Sequence, residues 1–282
     1  MLADIIPLIF GLASAFSWGS GDFVGGVASK HVNVLTVVVV SQLSGLVTLM
    51  LLGLLAGETF PDLGGLLWSG AAGLVGGMGL ITLYKALATG SMSVVAPLTG
   101  VVTAAVPVIL GLYLEGPPAI LQLLGFALAI AGVGLASGFD KSSIISSKLT
   151  HGFVAGIGFG LFLVFIGQVD ETYFFWPLTI SRGITVISCF SLAFFSRKLS
   201  KPSRTTFPLL VLGGMLDTGG SGFYLLARQA SRLDVSAVLS SLYPTATVIL
   251  AYLILGETPK PTRVIGIALS LAAIPLIKTP TP

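Results

Sequence analysis

Charge is what this chain most lacks. Only 9% of its 282 residues are Asp, Glu, Lys or Arg, against 54% hydrophobic, whereas a soluble domain draws about a quarter of its residues from those four types. With a mean hydropathy of +1.01, no soluble fold could hide this much apolar surface, and a membrane protein is what remains. The net charge of +3 is too small to point to a nucleic-acid partner. One cysteine, Cys189, rules out an intramolecular disulfide and leaves the compartment undetermined. Two histidines, His31 and His151, fall between the apolar runs, and neither HExxH, GxSxG nor a P-loop is written anywhere. ATP hydrolysis is therefore excluded, no cofactor or metal is expected, and an intramembrane enzyme is the weakest functional class.

What is present is a series of long apolar runs. Spans are predicted at 5–26, 34–56, 64–86, 93–114, 119–138, 152–169, 174–195, 207–229, 235–255 and 263–278, each near the roughly 20 residues that cross a hydrocarbon core of about 30 Å. The breaks between them leave no room for a soluble domain. The first run lacks a basic n-region and is too long for a signal-peptide core, so it reads as a retained span. This is an all-α polytopic membrane protein of ten transmembrane helices, with the lipid bilayer as its solvent.

Sliding the chain by half its length lays Ala86, Val94, Ala96, Leu98 and Gly125 over Ala227, Val235, Ala237, Leu239 and Gly266. Gly11, Ala15 and Gly19 fall on Gly152, Gly156 and Gly160, and a one-residue slip sets Ser41-Gln42 on Ser181-Arg182. Residues 1–138 and 152–282 are thus predicted to be two five-helix repeats joined by a linker at 139–151. Because five is odd, the second copy enters the membrane inverted, an arrangement of secondary transporters whose site lies near mid-membrane between the halves.

Trp18-Gly19-Ser20, Ala96-Pro97-Leu98-Thr99, Ser241-Leu242-Tyr243-Pro244, and Gly256-Glu257 followed by Gly266-Ile267-Ala268-Leu269 resemble the EamA branch of the drug/metabolite transporter superfamily. An arginine in the seventh span, here Arg182, fits the same pattern. The resemblance covers nearly the whole chain and implies a twice-five-helix fold that exports or takes up small metabolites; the breadth of the family names no substrate. Two places depart from the pattern: Leu114-Glu115-Gly116 stands where Leu-Gly-Glu is usual, and Ser20-Gly21-Asp22-Phe23 adds a carboxylate.

The polar residues inside spans are the candidate site. Arg182 lies mid-span, where a charge costs from about 2.5 to more than 10 kcal/mol unless it faces other helices or a wet cavity. Thr179, Thr185 and Cys189 share its face, and Ile180, Ile184, Ile187 and Leu192 form the opposite, lipid face. Asp217 is its natural partner, heading a stripe with Ser221, Tyr224 and Arg228. A fixed structural ion pair is the plain alternative to a carboxylate that alternates between arginine and proton. Asp22 is either an intramembrane coupling group or an interfacial charge, depending on where the first span ends. Gln42 occupies Arg182's position in the first repeat, a pairing that suits a zwitterion or polar neutral solute. Trp18, Tyr84, Tyr224 and Tyr243 are candidates to stack on a ligand or simply to pack; Lys85 and Arg228, at helix ends, are expected to snorkel. Pro97 and Pro244 are candidate hinges, and Gly152, Gly156 and Gly160 give small-residue spacing for close helix contact.

Cations bias the orientation. With the N-terminus inside, the cytoplasmic side would hold Arg228, Arg232 and Lys278, against Lys30, Lys85, Lys141, Lys148, the Arg197–Arg204 loop, Lys260 and Arg263 opposite. The positive-inside rule then sets both termini outside, contrary to the cytoplasmic termini usually described for the family. The expectation is a multi-pass protein of the plasma or inner membrane that moves a small polar solute, such as an amino acid or related compound, by alternating access without ATP. A proton or another ion is the candidate coupling partner, and the oligomeric state is left open. A non-transporting scaffold or receptor is the alternative reading, but it gives no reason for charges at mid-depth.

Overall fold

The structure, a computed structural model, describes residues 5–88, 92–136, 147–255 and 261–277. These hold helices α1 (Ile6–Ala28), α2 (Val34–Ala56), α3 (Leu63–Ala88), α4 (Met92–Leu114), α5 (Ile120–Ala136), α6 (Ser147–Ile166), α7 (Phe175–Phe195), α8 (Thr206–Gln229), α9 (Leu233–Ser240), α10 (Tyr243–Leu255) and α11 (Pro261–Ile277), and among the described residues there is no strand. Five stretches are long and apolar enough to cross a membrane, the α9–α10 pair counting as one, and four more are shorter apolar helices. α1 is as long, and its inner side carries Ser14, Ser17, Ser20 and Asp22. Leu55, Tyr113, Phe195, Leu63 and Ile120 stand exposed around the outside, as a lipid-facing surface requires.

Two predicted bounds are corrected. The sixth helix starts at Ser147, so the last residues assigned to the 139–151 linker are helical; residues 139–146 lie outside the described residues. The ninth span is broken. α9 ends at Ser240 and α10 begins at Tyr243 because Pro244 has no N–H to offer the Ser240 carbonyl, and Leu242 N–H bonds instead to the Leu239 carbonyl at 3.3 Å. Pro97, in the corresponding half of α4, has a side chain outside the described residues, but α4 runs unbroken through it.

The duplication is visible contact by contact. α2 packs on α7 and α5 on α11, each with its own counterpart, while α1 meets α8, α9 and α10 as α6 meets α3 and α4. At finer scale Gly11 packs on Leu239 as Gly152 packs on Leu98, and Gly19 on Thr247 as Gly160 on Val106. Gly73 lies against the Ser181 carbonyl as Gly214 lies against that of Ser41; Gly77 faces Thr185 as Gly45 faces Thr218. Every one of these contacts joins one repeat to the other. Gly152, Gly156 and Gly160 form the α6 side of the α4–α6 contact, meeting Leu98, Val102 and Val106. The structure thus consists of two inverted five-helix repeats whose shared interface is built from glycine contacts in symmetric pairs.

Helix ends are tied across the repeats as well. α2 is capped by the Asn33 side chain, which accepts from Leu35 N–H at 3.0 Å, and it stops at Gly57, whose φ of 66° favours glycine. The next residue, Glu58, accepts from the backbone N–H groups of Phe174, Phe175 and Trp176 at 2.9, 2.8 and 3.1 Å. Its carboxylate is the cap of α7, where orphan donors and the helix dipole both favour negative charge. Glu58→Ala is therefore expected to destabilise the protein by about 1–2 kcal/mol, read as a lowered thermal midpoint in detergent, with exposed Lys198→Ala as the unchanged control. On the same membrane face Arg228 pairs with Glu115 at 2.8 Å, and Arg232 pairs with the fully buried Asp234 at 2.9 Å. The hydrogen bonds that Arg232 donates to the Asp234 carboxylate raise the Arg232 pKa above its ordinary value. Arg228 was expected to reach for headgroups; it is held instead between α4 and α8.

Charge divides sharply between the two membrane faces. Among the described residues, the face at the N-terminal end of α1 carries Glu58, Asp62, Glu115, Asp170, Glu171 and Asp234 with Arg228 and Arg232, whereas the opposite face carries Lys30, Lys85, Arg197, Lys198, Lys201 and Arg204 and no acid.

Candidate functional site

Arg182 turns inward. Its residue is 4% exposed, and Thr179, Thr185 and Cys189 along the same face are buried too, while Ile187 and Leu192 on the other side are exposed. One terminal nitrogen, Nη1, donates to Asp217 Oδ2 at 2.6 Å and to Gln42 Oε1 at 2.6 Å, and Nη2 donates to Ser221 Oγ at 3.0 Å. Gln42 Nε2 closes the ring by donating to the same Asp217 oxygen at 2.8 Å. Helices α2, α7 and α8 each supply a side chain to one buried polar knot, and both repeats are joined in it. Room for the arginine stem comes from Gly45, where a Cβ would strike Thr218 and crowd Arg182. Arg182 Nε is buried without a partner among the described residues, and the Asp217 side chain, 21% exposed against 5% for Arg182, is the member of the pair that reaches open space.

That space is a cavity between the repeats, enclosing about 640 Å³ of empty space when its open mouth is counted. Polar atoms reach it from Asp22, Gln42, Arg182, Asp217 and Ser221, and Trp18, Phe159, Phe162 and Tyr243 supply aromatic wall. α1 continues six residues past Asp22 before ending at Ala28, so this carboxylate stands on the helical wall of the cavity and not at the end of the helix. Among the described residues no hydrogen-bond donor and no cation engages it.

The other candidates divide between wall and support. Trp18 lines the cavity and donates its indole N–H to the Asp217 carbonyl at 3.1 Å. Tyr243 lines it from the start of α10. Tyr224 does not reach the cavity; fully buried, it donates to the Leu163 carbonyl at 2.8 Å and stacks behind Trp18 with ring centroids 6.0 Å apart. Tyr84 packs against Gly25. Pro244 sits at the α9–α10 break beside Gly100, and Gly152, Gly156 and Gly160 lie at the helix contact already described, away from the cavity wall.

Against known proteins, the model of the EamA-like transporter family matches twice, over residues 5–138 and 147–279, one match for each repeat. The chain belongs to the EamA-like transporter family. No match is found among curated proteins. A solved structure titled only "Crystal structure of protein" superposes with a TM-score of 0.73 over 96% of this chain and 95% of its own, at 15% identity, a likeness of fold alone.

As an EamA-like protein the chain carries wall residues that no motif singled out. Thr103, Phe159 and Phe162 line the cavity, and the signal that finds Phe159 is the repeat itself, since half a chain length separates it from Trp18. The family's Leu-Gly-Glu departure also gains a physical meaning. The carboxylate at Glu115 accepts from the N–H of Leu233 at 2.9 Å while paired to Arg228, so it fastens the start of the broken span.

Proposed function

We propose that this EamA-like protein is a secondary transporter that moves a small polar metabolite, an amino acid or related solute, by alternating access through the cavity between its repeats. The observation that carries the reading is the buried knot of Arg182, Asp217, Gln42 and Ser221 on the wall of a mid-membrane cavity at the repeat interface. Intramembrane charges that line a cavity mark transport paths more often than packing devices. In this reading Asp217 and Gln42 contact the solute, Arg182 holds them in position from behind, and Trp18 and Tyr243 stack on it. The α9–α10 break at Pro244 is the hinge, and the smooth glycine contacts of α6 let one repeat rock on the other. A proton is the candidate coupling ion, and no catalysis is assigned.

Charge bias favours a cytoplasmic position for the face with Lys30 and Arg197, which sets the N-terminal end of α1 outside in a plasma or inner membrane. The test is a metabolite uptake screen on proteoliposomes with and without a pH gradient. Accumulation of a polar solute above protein-free vesicles is expected; uptake of no solute class in either condition would overturn the reading in favour of a scaffold or receptor.

A further inference from the structure

The cavity's charges do not balance. Its charged walls are Arg182, Asp217 and Asp22. The two terminal nitrogens of the guanidinium are taken by Asp217 at 2.6 Å and by Gln42 and Ser221, which leaves Asp22 facing the space with no donor and no cation among the described residues. An uncompensated carboxylate in a low-dielectric site is costly enough that something must neutralise it. From the helices packed on α1, the groups within electrostatic reach are Tyr84 on α3, Asp217 on α8 and Tyr243 on α10, none of which supplies a positive charge. On α9 the titratable side chain, Asp234, is engaged with Arg232 at one membrane face.

We propose that the cavity selects a compact organic monocation, an amine or quaternary ammonium compound, and that Asp22 is the group it shares with a proton. This rests on the transporter reading above, keeps its small polar metabolite, and sets an amine without a carboxylate in place of the amino acid. The cationic head lies between the Asp22 carboxylate and the faces of Trp18, Phe159, Phe162 and Tyr243, where ring quadrupoles attract positive charge. An anionic group finds no free donor fork there, because Arg182 sits behind Asp217 and is already hydrogen-bonded. Cation and proton are alternative occupants: when the cation leaves, Asp22 takes one proton from the side then open and gives it up on the other side when the next cation binds. One cation is exchanged for one proton, and charge balances on each half-cycle.

The test uses the full chain in proteoliposomes with choline, tetramethylammonium and ethanolamine as probe monocations, betaine as the zwitterion and 3,3-dimethyl-1-butanol as the neutral shape match for choline, and a trapped pH dye. At least one probe cation is expected to enter with counterflow of protons, and to be favoured over betaine and the neutral alcohol by about 100-fold, the factor set by roughly 3 kcal/mol of unpaired-charge cost. Asp22→Asn should abolish proton counterflow while Asp22→Glu retains it, with thermal midpoints in detergent confirming that both variants fold. In parallel, a hydrophobic carbodiimide should modify Asp22 in the wild type, and the transported cation should protect it where betaine does not. Should betaine or other neutral and zwitterionic solutes move while no cation does, the transporter reading stands and the cation assignment falls. Cation flux with undiminished proton counterflow in Asp22→Asn overturns the role of Asp22, and absence of flux for every solute together with unmodified Asp22 overturns both.

Discussion

Arg182→Ala is expected to reduce solute flux to the background of empty vesicles while the protein still inserts in the membrane, and Asp217→Asn is expected to do the same. Removing the guanidinium leaves Asp217 charged and partly buried with only Gln42 Nε2 as donor, since the arginine's 2.6 Å bond to Asp217 and its bonds to Gln42 and Ser221 all vanish together. Breaking one side of such a pair costs about 3–5 kcal/mol, drawn from the arrangement of the cavity wall more than from the helices themselves, whose lipid-facing sides are untouched. A purely structural pair would behave differently. Replacing both partners at once, Arg182→Met with Asp217→Asn, removes the stranded charge, so flux would return if the pair served packing alone; here it is expected to stay at background.

The second large effect lies at the axis between the repeats. A Cβ at Gly214 would run into the Ser41 carbonyl and the Ser44 hydroxyl, and one at Gly73 into the Ser181 carbonyl. Backbone atoms in a packed helix cannot step aside as a flexible side-chain tip can. Gly214→Val and Gly73→Val are each expected to cost about 3 kcal/mol or more and to lower the folded yield on size-exclusion chromatography by similar degrees, because the two sites are pseudo-equivalent. Gly70, on the same helix as Gly73, has open space around its built Cβ. Gly70→Ala should therefore leave the yield unchanged or improve it, by up to about 1 kcal/mol of helix propensity.

How much of this was legible in sequence follows from range. The inward stripe of Thr179, Arg182, Thr185 and Cys189 could be read because a helix repeats its faces every 3.6 residues and lipid tolerates no charge, and the repeat could be read because glycines are conserved between halves where backbones touch. Arg182 could likewise be matched to Asp217, since few other intramembrane charges existed to neutralise it. What could not be read were links formed by loops across more than a hundred residues. Glu58 lies in the gap between the second and third predicted spans, yet it caps α7; Arg228 reads as a snorkelling cation, yet Glu115 holds it. Tyr224 shares the stripe of Asp217, but the helix faces Trp18 and not the cavity at that height. The ninth span reads as continuous in sequence, with Pro244 as a candidate hinge inside it, because a proline can loosen a membrane helix without ending it; the break arises where the Ser240 carbonyl loses its donor.

The central claim is that one mid-membrane cavity opens in turn to each side. Cys189 is the single cysteine and is buried, so Cys189→Ala gives a clean background, and Leu80→Cys then places a thiol on the cavity wall. Labelling that thiol with a membrane-impermeant maleimide, added to one side of sealed vesicles and then to the other, tests the claim most directly. The account predicts modification from both sides, slowed from both by a transported solute. Modification from one side alone, indifferent to solute, would contradict it.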